Sequence, residues 1–130
     1  MANWSEEIKR SVWNKCKTVP GKSADDYRLD EQGALIKWSD YGEYKDGGWQ
    51  IDHIYPETPL QKKGVKQEKI DDITNLRALN SYNNDTKSDN YPSFESSKAY
   101  DSKLGKNVDK VGNWSVTKTK QAELKKFFGI

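Results

Sequence analysis

The chain of 130 residues has little sulfur, one imidazole and few apolar side chains. A single cysteine, Cys16, excludes an intrachain disulfide and a zinc site built from paired cysteines. A single histidine, His53, means that any histidine chemistry takes place at that position. No apolar run approaches the roughly 20 residues of a membrane span, and the start of the chain lacks the apolar segment of a secretory signal. We therefore expect a cytoplasmic protein that does not interact with membranes.

The low apolar content favours disorder, but the aromatic content favours a folded domain. Only 33% of the residues are hydrophobic, and the mean hydropathy is −1.07. The chain nevertheless has 5 tryptophans, 7 tyrosines and 3 phenylalanines, which bury much surface per residue. We expect one folded domain with a thin aromatic core that includes Trp13, Trp38, Trp49 and Phe127.

The small net charge of +2 hides an asymmetry along the chain. Residues 1–60 contain 8 basic and 11 acidic residues, whereas residues 61–130 contain 14 basic and 9 acidic residues. A basic second half is suited to a phosphate backbone. A solvated lysine-rich surface explains the same numbers, and on charge alone we favour that explanation.

Helical signals lie near both ends of the chain. Ser5 is a suitable N-cap for a helix that ends before Pro20-Gly21. Residues 94–104 are predicted as a second helix, although two serines weaken it. Residues 117–128 are predicted as a final helix that ends at Gly129.

Strand signals lie in the middle of the chain. Residues 49–55 alternate in polarity before Pro56, and residues 34–38 form a short apolar run. The Gly47-Gly48 pair between them predicts a hairpin of these two segments. Residues 75–79 are a further short strand, whereas residues 57–72 are predicted as a polar loop.

Chemistry-bearing residues follow in a defined order. Asp52 is a hard oxygen ligand suited to Mg²⁺ or Mn²⁺, and His53 is a natural general base near neutral pH. Adjacent strand residues point to opposite faces, so both serve one site only if the strand ends or twists there. Asn75 follows, and Asn84 and Lys87 lie three apart, which places them on one face of a helix. Taken singly, each residue also fits a cap, a turn or a solvated surface position.

Three runs of sequence carry a family resemblance. GWQIDHIYP, DDITNLRAL and NNDTKSDNYPS resemble the first, middle and end motifs of HNH endonucleases, which have the ββα-metal fold. The last run is also similar to the HNH domain of the CRISPR RNA-guided nuclease. The weaker similarity upstream of these runs resembles small stand-alone bacterial and phage HNH proteins.

The resemblance implies hydrolysis of DNA phosphodiester bonds in the cytoplasm of a bacterial or phage-infected cell. It implies that His53 is the general base and that Asn75 orients it. Asp52 and Asn84 would hold one divalent cation, with Mg²⁺ expected and Mn²⁺ or another divalent ion as alternatives. Asn83 is the alternative to Asn84.

The resemblance also implies substrate contacts and partners. Lys87 and Arg77 would bind phosphates of the DNA. A homodimer or a protein partner that controls the activity is compatible with one site per chain. The competing function is a catalytically silent or partner-controlled ββα-metal module that binds nucleic acid.

The expected fold is α+β, with a ββα-metal core that contains a β-hairpin and is flanked by helices. We expect residues 1–130 to form one domain whose core motif spans about 48–92. The flanking parts are an N-terminal helix at about 5–17 and a C-terminal helical extension at about 94–130.

Overall fold

The structure is a computed structural model that describes residues 4–130, and it has an α+β fold with short helices and three small antiparallel sheets. The α-helices are α1 (Glu6–Trp13), α2 (Glu57–Lys62), α3 (Gln67–Ile70), α4 (Ser81–Lys87) and α5 (Lys118–Phe128). The strands are β1 (Lys17–Thr18), β2 (Tyr27–Leu29), β3 (Leu35–Lys37), β4 (Trp49–His53), β5 (Leu76–Asn80), β6 (Ser93–Asp101) and β7 (Lys106–Ser115).

The hairpin of β4 and β5, followed directly by α4, is the element that positions the candidate site. The register pairs Trp49 with Asn80 and His53 with Leu76. Asn80 ends β5 and also caps α4, because its Oδ1 accepts from the Tyr82 backbone N–H at 2.9 Å. The chain therefore passes from strand to helix without a loop, and the hairpin and α4 form a ββα unit.

The predicted pairing of residues 34–38 with β4 is wrong. Strand β3 pairs with β2, and β4 pairs with β5. The segments do approach each other, since the Lys37 N–H donates to the Gly47 carbonyl at 2.8 Å. Gly48 serves close packing rather than a tight turn, because a Cβ there would lie 1.8 Å from the Glu43 carbonyl oxygen.

The predicted helix over 94–104 is wrong. The predicted C-terminal helical extension over 94–130 is therefore wrong in its first part, and only its last part is helical. Residues 93–115 form the β6–β7 hairpin, in which the side chains of Phe94 and Ser96 are buried and those of Ser93 and Glu95 are exposed. This period of two suits a strand that packs one face. Asp101 and Gly105 close the turn, with Gly105 at a φ of +68°.

Two further helical regions have little apolar sequence signal. The polar loop predicted over 57–72 contains the short helices α2 and α3, which bury Leu60 and Ile70. Residues 80–89 have no apolar stripe, yet they contain α4. The spacing of Asn84 and Lys87 predicted a helix there, and that prediction is confirmed.

The terminal helices are confirmed, although α1 is shorter than predicted. Ser5 Oγ accepts from the Ile8 N–H at 3.2 Å, and the helix ends at Trp13 rather than near residue 17. The backbone that follows the helix is bound by a side chain instead, since Arg28 Nη1 donates a hydrogen bond to the Cys16 carbonyl at 2.8 Å. Helix α5 begins at Lys118, one residue later than predicted. It is capped by Gly129, whose backbone adopts the left-handed conformation.

Two clusters of buried apolar residues lie in the described part of the chain. One is aromatic and contains the fully buried Trp13 and Trp49, with Trp38 packed against it. The other joins α2, α3 and α5, and Phe127 packs against its rim. The predicted aromatic core is therefore confirmed. Within the described part of the chain, no helix combines the length and the apolar character needed to cross a bilayer.

Candidate active site

A polar cleft of about 360 Å³ lies over the end of β4 and the start of the following segment. Four of the six predicted site residues line it, and they come from the hairpin and from α4. These four are Asp52, His53, Asn84 and Lys87. Trp4 and Gln50 line the same cleft. Strand β4 ends at His53, so the neighbouring side chains of Asp52 and His53 both reach one cleft.

Asp52 is the buried acidic centre of the cleft. Its Oδ2 lies 3.2 Å from Arg77 Nε and 3.4 Å from Lys87 Nζ. Burial raises the pKa of the Asp52 carboxyl above its ordinary value, and the two cations oppose that shift. Burial likewise lowers the pKa of Lys87, while the Asp52 charge opposes that change. The three side chains form one buried charge cluster in which Asp52 stabilises both cations, while Arg77 and Lys87 repel each other.

His53 contacts a carboxylate from the segment that follows β4. Its Nε2 lies 2.7 Å from Asp71 Oδ1, and the two side chains are 19% and 23% exposed. The Trp4 ring lies on another side, with its centroid 5.8 Å from that of the imidazole. The imidazole is thus partly enclosed but still reaches the cleft.

Asn75 does not line the cleft, because it is fully buried behind His53. Its Oδ1 accepts from the Tyr55 N–H at 2.8 Å, and its Nδ2 donates to the carbonyls of Tyr55 and Ile70, each at 3.1 Å. Its own carbonyl accepts from the Ile54 N–H at 2.8 Å. Asn75 therefore connects the chain just after His53 to the chain just before Asp71.

The two adjacent asparagines of α4 have different surroundings. Asn83 is 2% exposed, and its amide nitrogen and oxygen form a buried hydrogen bond to Asp30 and partly buried hydrogen bonds to the backbone of β6. Asn84 is half-buried and lines the cleft, and its Nδ2 donates to Gln50 Oε1 at 2.8 Å. That bond uses the amide nitrogen and leaves the carbonyl oxygen for another partner. The geometry thus selects Asn84 as the cleft residue.

Arg77 lies behind Asp52 rather than in the cleft. It is 4% exposed, its Nη1 lies 3.2 Å from Glu31 Oε2, and its guanidinium carbon lies 4.8 Å from the centre of the Phe94 ring. Its Nη2 has no hydrogen-bond partner within residues 4–130. In this structure Arg77 neutralises Asp52 and packs on an aromatic face.

Among residues 4–130, two groups of side chains have the chemistry to hold a divalent cation. Asp52 and Asn84 offer a carboxylate and an amide oxygen, the hard donors that Mg²⁺ prefers, and both face the same cleft. His53, Glu57 and Asp71 form a second group, whose ligand atoms all lie within 4.8 Å of one another. The oxygen pair fits Mg²⁺ better, whereas a set with an imidazole also suits softer metals.

Sequence reasoning missed four residues around the cleft. Asp71 and Glu57 were assigned to a polar loop, and only the helices α2 and α3 bring them to His53. Trp4 packs against the aromatic cluster and also lines the cleft. Gln50 lies two residues before Asp52 in β4, and residues two apart in a strand point to the same face. The sequence could therefore have indicated that Gln50 faces the same way as Asp52.

A hairpin followed by a helix that gathers Asp52, His53 and Asn84 in one cleft is the arrangement expected of the HNH class. The sequence model of one family, the C-terminal domain of GmrSD restriction endonucleases, matches residues 2–125. The match covers nearly the whole chain, and the chain belongs to this HNH-type family. No curated protein and no solved structure matches the chain. The family links the chain to nuclease function and to DNA as the substrate class.

Proposed function

We propose that the chain is a metal-dependent HNH endonuclease that hydrolyses DNA phosphodiester bonds. The observation that carries this proposal is the meeting of Asp52, His53, Asn84 and Lys87 in one cleft of a protein from a restriction endonuclease family. We also propose that residues 1–130 act as one domain around the core 48–92.

His53 is the general base in this proposal. It is the single imidazole of the chain, it is partly enclosed, and it reaches the cleft that Asp52 and Asn84 line. It would remove the proton of a water molecule as that water attacks the phosphorus atom. General-base catalysis of this kind contributes about 10²–10⁴-fold.

Asp52 and Asn84 are the residues that would hold one divalent cation, with Mg²⁺ expected and Mn²⁺ as an alternative. When bound, such an ion stabilises the negative charge that develops on the phosphate and on the leaving 3′ oxygen. Gln50 supports this role, because its hydrogen bond to Asn84 Nδ2 turns the amide oxygen away from itself.

Asn75 is a positioning residue in this scheme. Its buried side-chain amide hydrogen-bonds both the N–H and the carbonyl of Tyr55, which lies two residues after His53. These bonds fix the position of the chain just after β4. Lys87 lines the cleft beside Asp52 and supplies a positive charge for an incoming phosphate. Arg77 acts indirectly, because it holds Asp52 from behind.

One observation favours the competing function, a silent module that binds nucleic acid without cutting it. The Asp52 charge is already neutralised by two buried cations, Arg77 and Lys87, which weakens its attraction for a metal ion. In that case the affinity for nucleic acid would come from the lysine-rich second half of the chain. Binding and cleavage assays on the same protein separate the two functions.

The decisive experiment is plasmid cleavage with Mg²⁺, Mn²⁺ or EDTA, with the wild type beside His53→Ala. We expect metal-dependent cleavage to 5′-phosphate and 3′-hydroxyl ends, and a loss of at least about 10²-fold in His53→Ala. DNA binding by His53→Ala, measured by fluorescence anisotropy, should stay near that of the wild type. Wild-type protein that cuts with none of the metals, or a variant that cuts equally well, contradicts the proposal. Nicked products indicate one acting copy, whereas linear products indicate a dimer or paired nicks.

A further inference from the structure

The segment between the two strands of the core hairpin brings a carboxylate onto the imidazole. Asp71 follows α3 directly and accepts a hydrogen bond from His53, with Nε2 and Oδ1 2.7 Å apart. The contact is well anchored, because the buried Asn75 amide donates to the carbonyl of Ile70, the residue before Asp71. The same Asn75 side chain holds the backbone just after His53. One buried amide therefore sets both partners of the Asp71–His53 pair.

A second hydrogen bond holds Asp71 itself. Gln67 Nε2 donates to Asp71 Oδ1 at 3.1 Å and to Glu57 Oε2 at 2.6 Å. Gln67 lies on α3 and Glu57 on α2. The two short helices, placed where the sequence predicts a structureless loop, thus orient the carboxylate that faces His53.

The direction of the Asp71–His53 bond fixes the position of the imidazole proton. An ionised carboxylate can only accept hydrogen bonds, so the donor is the N–H of His53 Nε2. In a neutral imidazole the lone pair then lies on Nδ1. A partner that binds one ring nitrogen in this way selects the tautomer, fixes the plane of the ring and raises the basicity of the other nitrogen.

We propose that Asp71 is a positioning residue that holds His53 in the Nε2–H tautomer and leaves Nδ1 as the basic nitrogen. This inference rests on the proposed role of His53 as general base. It gives the 57–72 segment a function, since α2 and α3 carry the side chains that set the ring. Asp71 itself does not contact the substrate.

The same geometry has a second explanation, which is a metal ion held by His53, Glu57 and Asp71. The short contact between His53 and Asp71 favours positioning, because it is a direct hydrogen bond that already satisfies Nε2. A metal ion would have to replace that proton. The two explanations differ on Glu57, which a metal site needs and which has no contact with His53 among the described hydrogen bonds.

The test uses the fact that the chain has one histidine. Protein labelled with ¹⁵N-histidine gives a single imidazole spectrum, in which the protonated and unprotonated nitrogens are distinguished by their shifts and couplings. We expect one tautomer in the wild type, with a slowly exchanging Hε2 proton shifted downfield by the carboxylate. Asp71→Ala should lose that proton signal and mix the tautomers, and Asp71→Asn should weaken it. Glu68→Gln, an equal charge change at an exposed position of α3, is the matched control and should leave the spectrum unchanged.

Cleavage kinetics and metal titrations complete the test. We expect Asp71→Ala to lower kcat by about 10- to 100-fold while KM changes by less than about twofold, with partial rescue in Asp71→Asn. A wild-type spectrum without the Hε2 signal, or normal kcat in Asp71→Ala, overturns the inference. Loss of the Hε2 signal on addition of Mg²⁺ or Zn²⁺, abolished by Glu57→Gln, overturns it in favour of a metal site. If His53→Ala still cuts DNA while the spectrum is as expected, the proposed function fails instead.

Discussion

The two adjacent asparagines of α4 give the sharpest prediction, because the same substitution at each should affect a different property. Asn83 makes four hydrogen bonds through its side chain, a buried one to Asp30 Oδ2 and three partly buried ones, to the Lys98 carbonyl and from the backbone N–H groups of Ser97 and Lys98. Each such bond contributes about 0.5–1.5 kcal/mol, and groups left unpaired add to the loss. Asn83→Ala should therefore lower the free energy of unfolding by about 3 kcal/mol, or the Tm by about 12 °C.

Asn84→Ala should leave the stability almost unchanged and reduce DNA cleavage instead. The side chain is half-buried and its hydrogen bond goes to another side chain of the cleft, so its removal should change stability by less than about 0.5 kcal/mol. Cleavage should fall by at least about 10²-fold, because the proposed metal ligand is lost.

Thermal unfolding followed by tryptophan fluorescence, together with plasmid cleavage below the Tm of both variants, measures the two properties. At that temperature the folded fraction of Asn83→Ala should still cut DNA. The reasoning is refuted if Asn84→Ala unfolds as early as Asn83→Ala or cuts as well as the wild type. It is equally refuted if Asn83→Ala is as stable as the wild type.

Three further predictions follow from burial and charge. Burial raises the pKa of the Cys16 thiol to about 12, so at pH 8 the native protein should react with a thiol reagent about a hundredfold or more slowly than the unfolded chain; equal rates would contradict this. Asp52→Ala removes the carboxylate that two buried cations share and leaves Arg77 with Glu31 alone, so it should cost about 3–5 kcal/mol in urea unfolding, and its loss of activity must be compared with that of Asp52→Asn. The lysines Lys63, Lys66 and Lys69 surround an open depression of about 580 Å³. If they bind DNA, changing each to glutamine should reduce the slope of log K against log salt by about 0.9, and an unchanged slope identifies a solvated surface.

The parts of the fold that could be predicted from the sequence are those with local signals. Ser5 and Gly129 mark helix ends through their own backbone chemistry, and the alternation before Pro56 marks β4. The β6–β7 hairpin could not be predicted, because its strands have few apolar residues and depend on pairing between residues up to 22 positions apart, such as Ser93 with Ser115. Helix α4 also lacks an apolar stripe, since its inward face is made of polar side chains such as Asn83 and Lys87.

The candidate site, too, could be predicted only where the sequence carries a recognisable motif. The order of Asp52, His53 and Asn84 in the motifs was sufficient to predict that they meet, and they do line one cleft. The contact of Asp71 with His53 could not be predicted, because it spans 18 residues of a segment without a recognisable pattern. The position of Arg77 behind Asp52 depends on the register of β5 against β4, in which the two residues are directly paired.

The low hydrophobic content has a physical explanation in the buried asparagines. Asn75, Asn80, Asn83 and Asn107 are all nearly inaccessible, and each binds backbone groups of segments distant in the sequence. A buried amide that satisfies two or three backbone groups joins elements as an apolar contact would, and it also sets their register because hydrogen bonds are directional. Such a core needs few large apolar residues, but every amide must keep its partners. Asn84 differs from this set in that its side chain faces the cleft, which is the reason that we assign it to chemistry rather than to the fold.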